Sequence, residues 1–178
     1  MGYRGLFICI CKIFLLRCLL NNFWVHSIFM KILKLSNFPE YLERAAVWFS
    51  DKWDIPAEIY KESIQTSIDY KKSIPQWYIT LDESQNIIAG FGVVENDFHE
   101  RTDLAPNLCA LYVEEDYRNL NIARKLLDFA KKDIGEMDYK KLYLITDHET
   151  FYEKCGWDFL TMVQEDDGGL IRMYVTDT

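Results

Sequence analysis

The chain has 178 residues, 49% of them hydrophobic and 15% aromatic. That suffices for one ordinary domain with a packed core and is too apolar for a disordered chain. Lys plus Arg number 20 and Asp plus Glu 28, a formal net charge of −8. An acidic surface disfavours nucleic acid, whose binding rests on neutralised phosphates, and mildly favours a cationic partner such as an amine.

Residues 1–29 carry Arg4, Lys12 and Arg17 and no acid; the first acid of the chain is Glu40. Lys12 and Arg17 interrupt the apolar runs, so the stretch makes a poor spanning helix and a poor secretory signal. Three readings stand: a membrane anchor, an apolar helix docking on the domain or a partner, or a translated region upstream of a true start at Met30. The last is favoured, because Met30-Lys31-Ile32-Leu33-Lys34-Leu35 reads as the opening strand of a domain covering 30–178.

The elements follow in order. Lys31–Leu35 alternates polar and apolar, a strand. Asn37 can cap a helix with Pro39 in its first turn, and Phe38, Leu42, Ala45, Ala46 and Phe49 recur at helical spacing. Pro56 opens a second helix carrying Ile59, Ser63, Ile64 and Ile68. Gln76–Leu81 and Ile87–Glu95 are strands around the polar turn 82–86. Gly90 and Gly92 hint at a bulge or at close approach by another group. A polar loop, Asn96–Pro106, precedes the strand Leu108–Val113. Ile122–Ile134 is an amphipathic helix, Lys141–Ile145 a strand, and Glu149–Cys155 a short helix stopped by Gly156. Trp157–Gln164 and Leu170–Val175 form a closing hairpin. This order predicts an α/β domain with a mixed sheet and helices on both faces.

Five cysteines (Cys9, Cys11, Cys18, Cys109 and Cys155) form no CxxC pair, and His26, His99 and His148 do not cluster with them, so no metal is expected. Cys109 reads as a small core residue, Cys155 has no evident activating partner, and a reduced, cytoplasmic setting is the simplest expectation. Trp48, Trp53, Trp77 and Trp157 read as core or pocket wall.

The informative stretch is the strand Leu108–Val113, the acidic turn Glu114-Glu115-Asp116, and the loop Tyr117–Asn121 feeding the helix at Ile122. A strand followed by a tight loop and a helix N-terminus gathers unpaired backbone N–H groups beside the positive end of the helix dipole, a site suited to a pyrophosphate. The acidic turn itself reads as solvated.

Arg118, Asn121 and Ala123 resemble the acetyl-coenzyme A motif of the GNAT superfamily: Arg or Gln, two residues, Gly, one residue, then Gly or Ala. Thr146–Trp157 is similar to the family's late helix, in which Tyr152 matches a tyrosine that protonates the departing coenzyme A thiolate. The loop 95–107 resembles a bacterial group of the family whose substrates are mostly unassigned. The resemblance implies a mostly antiparallel sheet of six to seven strands, splayed at the cofactor site. It implies that Leu111, Tyr112 and Val113 flank the pantetheine arm, with an amide near Val113 at the oxyanion. Arg118, Leu120, Asn121, Ile122, Ala123 and Arg124 would then surround the pyrophosphate. One departure is Asn121 where the family has Gly; Asn is the next-best residue for a left-handed backbone and can also cap a helix.

The implied reaction moves acetyl from acetyl-coenzyme A directly onto an amine of a small molecule or peptide, with Tyr152 as acid. Glu95 is the first candidate for the base, followed by Asp97 and His99, then Asp147 and His148. The alternative is a catalytically degenerate sensor of acyl-coenzyme A. No nucleic-acid partner is expected, a membrane only if residues 1–29 are genuine, and assembly as a homodimer is left open.

Overall fold

The computed structural model describes residues 30–178, and the readings made on residues 1–29 lie outside the described residues. Seven strands form one open sheet in the order β1-β2-β3-β4-β5-β7-β6. They are β1 (Lys31–Lys34), β2 (Gln76–Leu81), β3 (Ile87–Val94), β4 (Asn107–Val113), β5 (Lys141–Thr146), β6 (Asp158–Gln164) and β7 (Leu170–Asp177). Neighbours are antiparallel except β4 and β5, which run parallel. Among the described residues four α-helices cover the sheet: α1 (Leu42–Trp53), α2 (Ala57–Asp69), α3 (Ile122–Gly135) and α4 (Phe151–Lys154).

The helices divide by face because the strands alternate. On one face Phe91, Val93, Leu108 and Leu142 pack with Leu126, Leu127 and Ala130 of α3 and with Tyr152 of α4. On the other, Trp77, Ile79 and Cys109 pack with Ala45, Ala46 and Phe49 of α1 and Tyr60 and Ile64 of α2. The expected mixed sheet with helices on both faces is therefore present, and Cys109 is a buried core residue as read.

Asn37 does not cap α1. Leu35–Asn37 and Pro39–Tyr41 are separate 3-10 turns, and α1 begins at Leu42 without a side-chain cap. The break lies at Phe38 (φ −134°, ψ 64°), the residue before Pro39, where proline's ring excludes the helical conformation. The short helix is also trimmed to Phe151–Lys154, since Thr150 is left-handed at φ 65°. Gly156, at φ 77°, stops it as expected.

Two irregularities shape the middle of the sheet. The register of β3 against β4 steps from Gly90↔Tyr112 to Gly92↔Cys109, which puts the extra residue on β4, where Ala110 is left-handed at φ 51°. The bulge hinted at by Gly90 and Gly92 thus lies on the partner strand. The glycines answer a close approach instead. A Cβ on Gly90 would sit 2.9 Å from Phe49 Cζ, and one on Gly92 would sit 2.6 Å from the Trp77 ring. The second irregularity is that β4 and β5 share a single register pair, Asn107↔Tyr143. Beyond it no register pair joins the two strands, and the edge of β4 from Cys109 to Val113 faces the parting.

Candidate active site

Beyond Val113 the chain turns through a 3-10 segment, Glu115–Tyr117, and reaches Asn121 at φ 61°, ψ 21°, from which α3 starts. Asn119 is left-handed as well, at φ 63°. The amides of Tyr117 and Arg118 bond back to Glu114 O and Glu115 O, and helical bonding resumes with Lys125 N–H donating to Asn121 O at 3.3 Å. Between them, the six backbone N–H groups from Asn119 to Arg124 donate to no backbone or side-chain acceptor among the described residues. Asn121 takes the left-handed role expected of it, but its side chain does not cap α3.

These amides border a cavity of about 420 Å³. From the predicted set it gathers Val113, Arg118, Asn121, Ile122, Ala123 and Arg124, and it adds Tyr117, Asn119, Phe151, Lys154 and Cys155. Arg124 Nη2 donates to Lys154 O, which ties α3 to α4 across the cavity. Leu120 points out and is exposed, and Leu111 packs toward the α3 face without lining the cavity. A row of free amides at the start of a 14-residue helix, flanked by Arg118, Arg124 and Lys154, fits a diphosphate.

Tyr112 lies on the opposite face of β4. Its ring meets Trp48 at 5.9 Å and Trp53 at 6.4 Å, with Lys52 Nζ at 5.2 Å and the Arg118 guanidinium at 5.4 Å. Arg118 donates through Nε to Val113 O at 3.1 Å and through Nη2 to the Tyr112 hydroxyl at 3.3 Å. Its side chain therefore clamps the end of β4 while its neighbours' amides stay free. Glu114 is not the solvated turn residue it looked to be. Trp48 Nε1 donates to its Oε1 at 2.7 Å and Lys52 pairs with the same oxygen at 2.7 Å, because α1 lies against this end of the strand.

Tyr152, in α4, is buried against Trp157 and Tyr174. Burial pushes its phenol up to about 12; the Thr146 hydroxyl at the end of β5 works the other way, and the Cys155 and Asp97 charges add to the rise. Glu95 is exposed, and its carbonyl accepts from Asn107 Nδ2 at 3.0 Å. Asp97 is half-buried, and burial followed by the Glu165 charge lifts its carboxyl to about 6. The Asp97 charge acts through space on Tyr152 of α4, Cys109 of β4 and Tyr60 of α2. Asp147 and His148 are exposed at the end of β5.

His99 is held as structure. Asn107 Nδ2 donates to Glu95 O and Leu104 O, so its Oδ1 accepts, and His99 Nε2 donates to it at 3.0 Å. His99 Nδ1 faces Asn96 Nδ2 at 3.4 Å, and the backbone of His99 bridges that of Glu165. Both ring nitrogens are thus engaged, and the ring is buried. Tyr60, Asn119 and Lys154 carried no sequence signal: the first sits on an ordinary amphipathic helix, and the others matter only through the turn and the α3–α4 contact.

A family model described as an acetyltransferase (GNAT) domain matches residues 75–158. No curated protein matches the sequence. Among solved structures, a GNAT-family acetyltransferase from Staphylococcus aureus Mu50 is similar with a TM-score of 0.56 at 20% identity, over 83% of this chain and 98% of that one. An aminoglycoside 6'-N-acetyltransferase complexed with coenzyme A is similar with a TM-score of 0.62 at 14% identity, over 83% and 96%. A GNAT-family acetyltransferase from Streptococcus pneumoniae is similar with a TM-score of 0.62 at 10% identity, over 84% and 99%. At these identities the likeness is one of fold. Among the described residues no helix is long and apolar enough to cross a membrane. Residues 75–158 thus match a GNAT acetyltransferase domain, and the described residues carry the fold of these acetyltransferases.

Proposed function

We propose that the protein transfers the acetyl group of acetyl-coenzyme A directly to an amine of a small molecule or peptide. The observation that carries this reading is the run of six unbonded amides from Asn119 to Arg124 beside the parting of β4 and β5. The amides hold the diphosphate, and the open edge of β4 receives the pantetheine arm as an added strand. The left-handed Asn121 keeps the turn in the conformation a glycine would give it, which favours a working site over a degenerate sensor.

Asp97 replaces Glu95 as the base in this reading. It is a half-buried carboxylate whose charge reaches Tyr152, and a carboxyl near 6 is largely ionised at neutral pH yet basic enough to accept a proton. The amine gives up a proton to Asp97 and its lone pair attacks the thioester carbonyl. An amide near Val113 stabilises the oxyanion. The C–S bond then breaks, the leaving thiolate takes the proton of Tyr152, which its burial keeps protonated, and the acylated nitrogen sheds its remaining excess proton to solvent, which returns one to the tyrosinate.

The test is calorimetry with acetyl-coenzyme A followed by a thiol-release assay over a panel of amines. Binding with thiol release that depends on the amine is expected. Binding without release on any amine would favour the sensor.

A further inference from the structure

The turn that presents the free amides is fastened to a distant part of the chain. Tyr117 borders the cavity two residues before Asn119, where the run of free amides begins. Its half-buried ring packs on the core between the sheet and α3, and its hydroxyl donates to Asp82 Oδ2 at 3.0 Å. Asp82 belongs to the β2–β3 turn, 35 positions earlier, and does not line the cavity.

Asp82 is a fixed acceptor. The Asn86 backbone N–H donates to its Oδ1 at 2.7 Å and Asn86 Nδ2 to its Oδ2 at 3.1 Å, while Asp82 N–H donates to Asn86 O at 3.0 Å. Arg44 Nη2, near the start of α1, donates to Gln85 O at 2.6 Å and holds the same turn from the helix side. The Asn86 backbone N–H, followed by the Asn86 side chain and the Tyr117 hydroxyl, keeps the carboxyl below its ordinary range, so the acceptor is charged at neutral pH. The stretch it steadies has little else to hold it. Asn119, Leu120 and Asn121 donate no hydrogen bond from the backbone, and Leu120 is exposed. Such a turn loses conformational freedom when it grips a ligand, and an entry fixed beforehand lessens that loss.

We infer that Asp82 is a positioning residue for the cofactor: through the Tyr117 hydroxyl it fixes the entry of the turn whose amides face the diphosphate. This rests on the acetyl-coenzyme A reading and adds to it a residue outside the motif. The bond joins the β2–β3 hairpin to the cofactor turn, so the hairpin takes part in binding without touching the ligand.

The experiment is a double-mutant cycle read by calorimetric titration with coenzyme A, with thermal unfolding of the ligand-free proteins in parallel. Tyr117→Phe should weaken binding about threefold to tenfold in the native background and leave it nearly unchanged once Asp82→Ala is present. The cycle cancels whatever Asp82→Ala does to the hairpin or to the local charge. Asp82→Asn, which keeps an acceptor for the Asn86 N–H, is the second background should Asp82→Ala unfold, and there Tyr117→Phe should cost about twofold or less. An equal loss in both backgrounds, or no loss in either, would overturn the inference and leave acetyl transfer standing. So would a coupling that shows in the unfolding midpoint and not in affinity, which is what a merely structural pair would give. Failure of the native protein to bind coenzyme A would overturn the acetyl-transfer reading as well.

Discussion

Asn107 stands opposite Tyr143 as the single pair joining β4 to β5, and its side chain also fastens the loop that carries Asp97. The same buried residue therefore sits where the strands part and holds the loop that carries Asp97. Asn107→Ala removes three hydrogen bonds and strands two carbonyls and the His99 ring. A loss of about 3 kcal/mol in stability is expected from urea unfolding, near the upper range for a broken buried network. A change below about 1 kcal/mol would mean the network contributes little.

Tyr152→Phe should lower kcat by about 10² or more and leave coenzyme A affinity nearly unchanged, because the phenol acts on the leaving thiolate and not on the bound diphosphate. Steady-state kinetics with parallel calorimetry separates the two. Unchanged kcat would take Tyr152 out of the reaction.

Asp97 sets a pH dependence. Its carboxyl is raised to about 6 and the base form is the ionised one, so kcat/KM should climb as pH rises through about 6 and fall below it. Asp97→Asn should lose about 10² or more in kcat/KM together with that limb, whereas Glu95→Gln should keep both. The reverse pattern would return the role to Glu95.

Asn121→Gly should keep coenzyme A affinity or improve it, since glycine occupies φ 61° without cost. Asn121→Val should weaken it about tenfold, because a β-branched residue resists the left-handed region by about 1–2 kcal/mol. Calorimetry on both variants reads this directly. A large loss with glycine would assign the Asn side chain a contact of its own.

The sequence foretold most of the frame. The hairpins were legible because alternation and turn residues agree around 82–86 and 165–169. The left-handed Asn121 was legible because few other residues fit there. The bulge was misplaced because Ala110 at φ 51° leaves no mark in composition, while the visible glycines make room for Phe49 and Trp77 from elsewhere in the chain. The order in which Glu95 came before Asp97 as the base had no local pattern behind it, because strand parity ends at Val94. The loop that carries both is joined to the β6–β7 turn by the bond from Asp166 to Phe98, a contact between residues 68 positions apart.

The account depends above all on free amides at the start of α3. Titrating isotope-labelled protein with coenzyme A while following backbone amide resonances tests them one by one. Large shifts clustered at Asn119 through Arg124 are predicted; saturating coenzyme A that leaves those six resonances in place would contradict the account.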